Sequence, residues 1–343
     1  MTAGEKQNQI CKYMLLDEKA AKTILLLESF FEDTNQPKDF KDSLANRTEI
    51  TEGAAELLAT FRGHVLDLSG LKELSQPAAA ALGAYTGDLY LDGLKTVTAN
   101  TLKHLLQRKH IVRLDGLETL PDITEDWEDL QENVSELYLN GVGRASYDSL
   151  KKVASVAQEF LHLNSLESLP QQEGLFETCP AILILGGLKK ITKLDIQNFL
   201  QRTVELEGLE EIDVECARLL AEACQECTLS IGLRKMPDEV ASEILRSQSE
   251  YFYMKRLEEL TPHAAEACGK FIHAKYVHFD GLQQISDEAF ELLLADYTGQ
   301  TEKWCPGSID LNGLTHLTPR MRKALEETKH DVSLLGITEQ DPS

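Results

Sequence analysis

One pattern recurs through most of this chain, and it constrains the fold more than any other feature: L-x-L-x-G-L-x-x-L. Its first apolar residue falls at Leu66, Leu89, Val112, Leu137, Leu161, Leu183, Val204, Leu229, Phe252, Val277, Ile309 and Val332. Steps between these positions run from 21 to 32 residues, most of them near 23. The glycine slot holds Gly70, Gly93, Gly116, Gly141, Gly187, Gly208, Gly232, Gly281, Gly313 and Gly336, with Ser165 and Arg256 as exceptions. A period of this length marks an array of supersecondary units. It overrides the length prior, under which 343 residues would split into two compact domains.

Each part of the unit has a physical reason. The alternation x-L-x-L-x has the period of a strand, so both Leu-type residues point into a core and the residue between them points away. The glycine is expected to turn the chain off the strand, and the Leu after it returns to the core. Helix start signals follow at Ser75, at Thr261 with Pro262, at Ser286 with Asp287 and Glu288, and at Thr318 with Pro319. Buried stripes at helical spacing come next: Leu102, Leu105 and Leu106; Ala217, Leu220 and Ala221; Phe290, Leu293 and Leu294. No single unit buries its own apolar face, so the units must stack, with their strands paired in parallel.

The pattern resembles the leucine-rich repeat family, in particular its cysteine-containing class and bacterial repeats with a G-L signature. Val277-His278-Phe279-Asp280-Gly281-Leu282-Gln283-Gln284-Ile285-Ser286-Asp287 carries the likeness, with Leu or Ile where that class has Cys and others have Asn. The resemblance implies an α/β fold: a right-handed solenoid, or horseshoe, of about 12 β-α units. The parallel sheet would form its concave face and short helices its convex face. For function it implies little, since a fold does not specify one.

Residues 1–63 read as a helical N-terminal cap that includes a degenerate repeat: a helix from about Asp17 to Phe31, then Leu44 and Ile50 in repeat spacing, then a helix from Ala54 to Phe61. Residues 64–338 are the solenoid and 339–343 a polar tail. No cap is visible at the far end, which leaves the last strand as an edge open to pairing, and the oligomeric state undetermined. Two units carry insertions with the chain's only tryptophans: the acidic stretch Asp122 to Glu132 with Trp127, and Ala295 to Ser308 with Trp304 and Cys305. Such insertions carry binding loops or plug packing gaps.

Lys plus Arg number 34 and Asp plus Glu 57, a formal charge of −23. That charge repels nucleic acid and anionic lipid, so neither nucleic acid nor membrane is expected as a partner, and a basic protein is. The seven cysteines, scattered from Cys11 to Cys305, do not form the framework of a small secreted domain. With no secretory h-region at the N-terminus, a cytoplasmic location is expected.

The outward column of the strands reads Asp67, Tyr90, Arg113, Tyr138, His162, Ile184, Glu205, Ser230, Tyr253, His278, Asp310 and Ser333. A neighbouring column adds Phe160, Tyr251 and Tyr276. The partner-binding candidates are therefore Tyr90, Arg113, Tyr138, Phe160, His162, Tyr251, Tyr253, Tyr276, His278 and Trp304. Tyr is a typical interface anchor, and cross-strand stacking is the competing explanation. Glu205, Glu207, Asp280 and Asp310 nearby suit a partner with Lys or Arg at its rim.

A further column of Ser69, Asp92, Asp115, Asn140, Asn164, Gly186, Glu207, Lys255, Asp280 and Asn312 is oxygen-rich enough to suggest calcium, but it is expected instead to hydrogen-bond the turn that follows each strand. Gly141-Val142-Gly143 lacks the third glycine of a dinucleotide loop, and Tyr147 with Lys151 has a dehydrogenase spacing on an outer helix. Cys224 and Cys227, with Cys216, read as packing rather than zinc ligands. No catalytic residue, metal or cofactor is therefore expected. The expected function is a non-catalytic scaffold, with an adaptor or secreted effector whose cap recruits an enzyme as the alternative.

Overall fold

A computed structural model describes residues 15–28, 44–107, 110–127, 130, 134–224, 227–246, 249–271, 276–295 and 307–337. The chain divides into two compact units, residues 1–182 and 183–343. In the first, β1 (Leu15–Leu16), α1 (Glu18–Glu28), β2 (Glu49–Ile50) and α2 (Glu52–Leu58) precede β3 (Val65–Asp67), α3 (Gln76–Gly83), β4 (Asp88–Tyr90) and α4 (Ala99–Leu105). Then come β5 (Val112–Arg113), β6 (Val134–Tyr138), α5 (Tyr147–Ala154) and β7 (Ala157–His162).

The second unit begins within β8 (Ile182–Ile184) and continues with α6 (Lys193–Asn198), β9 (Val204–Leu206), α7 (Val214–Ala223), β10 (Thr228–Ile231) and α8 (Asp238–Ile244). It ends with β11 (Tyr251–Tyr253), α9 (Pro262–Phe271), β12 (Tyr276–His278), α10 (Asp287–Leu294), β13 (Ser308–Asp310), α11 (Pro319–Glu327) and β14 (Asp331–Ser333).

This is an α/β repeat fold. Strands β3 to β14 form an open, all-parallel twelve-strand sheet whose order follows the chain, and β1 pairs with β2 in a separate parallel ribbon. Register places the first apolar residue of one repeat opposite that of the next: Leu66 faces Leu89, Leu89 faces Val112 and Val112 faces Leu137. In the second unit Val204, Leu229, Phe252, Val277, Ile309 and Val332 continue in the same way. All of these except Val332 are buried, as are the helix stripes read from the sequence.

Helix starts fall where the sequence places them. Ser75, Ser286 and Thr318 accept from the backbone N–H three residues on, and Thr261 does the same for Ala264. Thr192 and Asp195 complete a reciprocal capping box.

The glycine's role differs from the sequence expectation. The L-x-G-L turn closes with an i to i+3 backbone bond, such as Leu117 N–H to the Leu114 carbonyl at 3.0 Å, without a left-handed glycine. Proximity is what excludes a side chain. A Cβ on Gly116 would lie 1.9 Å from the Asp92 carbonyl oxygen, and one on Gly208 would lie 1.8 Å from that of Gly186. The turns of successive repeats are stacked backbone on backbone, closer than any Cβ permits.

Two connections lack the expected helix among the described residues. Between β7 and β8 the chain is irregular, interrupted by Pro170, Gly174 at φ 74° and Pro180, and it fills the core with Leu166, Leu169, Leu175 and Phe176. Between β5 and β6, Trp127 is 3% exposed, and Leu120, Ile123 and Leu130 are buried core as well. The buried Ser149 hydroxyl holds this segment, donating to the Pro121 carbonyl at 2.8 Å and accepting from Ile123 N–H at 3.1 Å. Of the two roles open to that tryptophan, the structure shows packing. Of the insertion from Ala295 to Ser308, residues 296–306 with Trp304 lie outside the described residues, as does the polar tail.

Replacing Leu185, fully buried, by Ala should cost about 2–5 kcal/mol through a cavity. Gly116→Ala should cost about 1–3 kcal/mol although it adds only one methyl, because the carbonyl it meets belongs to fixed backbone. Urea midpoints of both variants check this, and a Gly116→Ala variant as stable as wild type would contradict the stacking of the turns.

Candidate functional site

A parallel sheet in register repeats along its hydrogen-bonding direction about every 4.8 Å, close to the stacking distance of flat side chains. The outward column exploits that match. In the first unit Tyr90, Arg113, Tyr138 and His162 stand opposite one another on β4 to β7. The Arg113 guanidinium lies 4.9 Å from the Tyr90 ring centroid and 5.5 Å from that of Tyr138. His162 stacks on Tyr138 at 3.9 Å with the planes 9° apart, and Phe160 approaches His162 tilted at 6.1 Å. Four predicted site residues thus form one ladder of ring, cation, ring and ring, with Phe160 tilted against its His162 end.

Carboxylates hold the ladder in place. Arg113 Nη2 is 3.1 Å from Asp92 and 3.0 Å from Asp115, and the Tyr138 hydroxyl donates to Glu136 at 2.6 Å. Burial opposes the charge on Arg113, but Asp92 and Asp115 overcome it and raise its pKa. Burial raises the phenol of Tyr138 to about 12, helped by the bond to Glu136, and burial also raises Tyr90, helped by Asp88. Burial lowers the pKa of His162, whose Nε2 has no hydrogen-bond partner among the described residues, so the ring sits neutral in the stack.

The second unit carries a patch of its own. Tyr251 and Tyr276 stack at 4.8 Å and 9°, and Tyr253 and His278 at 4.3 Å and 16°. His278 Nδ1 lies 2.6 Å from Asp310, and Lys255 covers Tyr253 at 5.4 Å while bonding Glu207 at 2.8 Å. Burial raises the pKa of Glu205 beside this pair. Tyr276 is 44% exposed.

Sequence reasoning aligned these columns but missed what pins them. Asp92 and Asp115 were assigned to their own turns, yet they bond forward to the next repeat. Asp92 Oδ1 accepts from Asp115 N–H at 3.1 Å, Asp115 from Asn140 at 3.0 Å and Asn140 from Asn164 at 3.3 Å. The physical reason is the tight stacking of turns, which brings the neighbouring repeat's amide within reach of a short side chain. The spacing of Asp92, Arg113 and Asp115 held the signal, since the carboxylates flank the cation in the repeat alignment.

Other candidates stay separate from these patches. Tyr147 and Lys151 do meet, Nζ to hydroxyl at 3.3 Å, but on α5, where the Tyr147 hydroxyl donates to the Glu173 carbonyl. Cys216 and Cys224 are buried, and burial pushes their thiols up to about 11 and about 12, the state of unreactive core cysteines. Among the described residues no three His, Cys, Asp or Glu side chains converge as a metal site, and no helix is long and apolar enough to cross a membrane.

No family model matches the sequence, and no curated protein matches it. Among solved structures, it is similar to a chain of the Rad7 and Elc1 complex in yeast, at 12% identity and a TM-score of 0.42, covering 99% of this chain and 92% of that one. It is also similar to a chain of the Toll–Spatzle complex of Drosophila, at 14% identity and a TM-score of 0.40, covering 90% of this chain and 42% of that one.

A neutral His162 favours the folded state above the ring's ordinary pKa near 6.5, and that contribution is lost as pH falls through 6.5 toward the depressed folded value. His162→Phe keeps a flat ring and removes the titration. The variant's urea midpoint should therefore fall less than the wild type's between about pH 7 and pH 5. Parallel curves would show that His162 is not held neutral.

Proposed function

We propose that this chain is a non-catalytic protein-interaction scaffold of the leucine-rich-repeat type, binding a partner through the aromatic faces of its sheet. One observation carries the reading. Flat side chains occupy the outward column in register, on the side of the strands away from the core, and Tyr276 remains 44% exposed while stacked on Tyr251. Tyr offers a large, stiff contact surface at little entropic cost, and stacking removes most of its remaining freedom before a partner arrives.

Net charge selects the partner. At −23 over the chain, with Glu205, Glu207 and Asp310 beside the second patch, a protein with Lys or Arg at its rim is favoured over nucleic acid or anionic lipid. A cytoplasmic setting is consistent with reduced core thiols, as those of Cys216 and Cys224 are.

A displayed random-peptide library panned against the whole chain tests the reading. Selected peptides should be rich in Lys and Arg and should lose at least about tenfold in affinity for the Tyr251→Ala, Tyr253→Ala, Tyr276→Ala variant. Tyr276→Ser alone, at an exposed position, guards against a folding defect in the triple variant. Peptides that bind both variants and wild type equally would overturn the second patch as a binding face.

A further inference from the structure

The ladder of the first unit ends at Tyr90. One face of that ring is covered by Arg113, on β5. Its other face turns toward β3, where the residue in register is Asp67, too short to cover it. Among the described residues no ring or cation lies against that face. Asp88 stands two residues before Tyr90 on the same side of β4. Asp67 uses Oδ1 to accept from Ser69 N–H at 3.0 Å, and Asp88 uses Oδ1 to accept from Ile111 N–H at 3.4 Å. No cation of the described residues is paired with either carboxylate.

The place beside Tyr90 therefore shares part of the surroundings of Arg113 without the cation: one ring face, with Asp67 in register beside it and Asp88, which bonds toward β5, two residues back. Arg113 has a tyrosine face on each side and two carboxylates at 3.1 and 3.0 Å. The neighbouring place has a tyrosine face and two carboxylates. We propose that the outer face of Tyr90, with Asp67 and Asp88, is a slot for an arginine side chain of the partner protein, which would extend the ladder by one guanidinium.

Arginine fits better than lysine because its planar cation lies flat on a ring at strand spacing and still reaches carboxylates with in-plane N–H groups. An ammonium makes the ring contact without the planar fork. This assignment rests on the reading of the sheet faces as protein-binding, and it specifies what the first of them recognises.

The test is a titration of the whole chain, labelled with 13C in its tyrosine rings, with N-acetyl-arginine amide and separately with N-acetyl-lysine amide. Tyr90 is assigned by its loss in Tyr90→Phe. The Tyr90 resonance should shift saturably with the arginine compound, about two- to fivefold more tightly than with the lysine compound. Asp67→Asn with Asp88→Asn should abolish the saturable shift while the Tyr138 resonance keeps its position, which reports an intact ladder.

A Tyr90 resonance that does not move, or one that moves equally in the double variant or with lysine, overturns the slot. If it fails while library peptides still bind through the second patch, the scaffold reading stands and only the slot falls. If the slot fills but no peptide is retained by either patch, the scaffold reading fails and the slot is a property of Tyr90 alone.

Discussion

The separation between neighbouring repeats is the constraint on which the rest depends. Two contacts set it together. Parallel strands pair at about 4.8 Å, and the L-x-G-L turns that follow approach until a carbonyl of one occupies the space where the next would carry a Cβ. A larger residue at Gly116 or Gly208 would push the turns apart while the strands held together, and the helices packed behind them would have to yield. The turn amides, brought this near, are satisfied from the adjacent repeat by Asp92, Asp115 and Asn140. Exposed ion pairs repeat along the array, such as Lys95 with Glu118 and Lys189 with Glu210, but at their exposure they contribute little.

The same spacing shapes the outward face. A sheet that repeats at ring-stacking distance turns any column of flat residues into a stack, and Tyr138 on His162 or Tyr253 on His278 shows the outcome. Cross-strand stacking and partner binding were opposed as explanations for these aromatics. The geometry is compatible with both, because a stacked ring is already ordered and would pay less on binding. Burial meanwhile raises the phenols and lowers His162, so the first ladder carries its charge on Arg113 and on the carboxylates around it.

Much of this was legible in the sequence because the repeat is an alignment of the chain with itself. Register, core positions, helix starts and the outward column all follow from placing Leu66 under Leu89 and continuing. The irregular connection after β7 was not, because Pro170, Gly174 and Pro180 break a helix without saying what replaces it. The reason for the glycine was not legible either. Intolerance of a Cβ reads the same in sequence whether the cause is a left-handed φ or a carbonyl at 1.9 Å. The forward bonds of Asp92 and Asp115 were missed for a related cause. An Asx side chain before a turn bonds its own turn by default, and only the closeness of the next repeat offers it a better donor.

Stacking also limits where the proposed partner could engage. A ring covered on both faces, as Tyr138 is by Arg113 and His162, presents only its edge and its hydroxyl, and the hydroxyl is committed to Glu136. Among the described residues, uncovered ring faces occur at the ends of stacks, where the neighbouring strand supplies a short residue. Asp67 stands beside Tyr90, and Ser308 stands beside Tyr276. On the proposed reading, recognition would fall to the terminal rings, while the inner ones hold them in place. On that reading the short outward residues matter too, since lengthening them would extend the stack and close the ring face beside them.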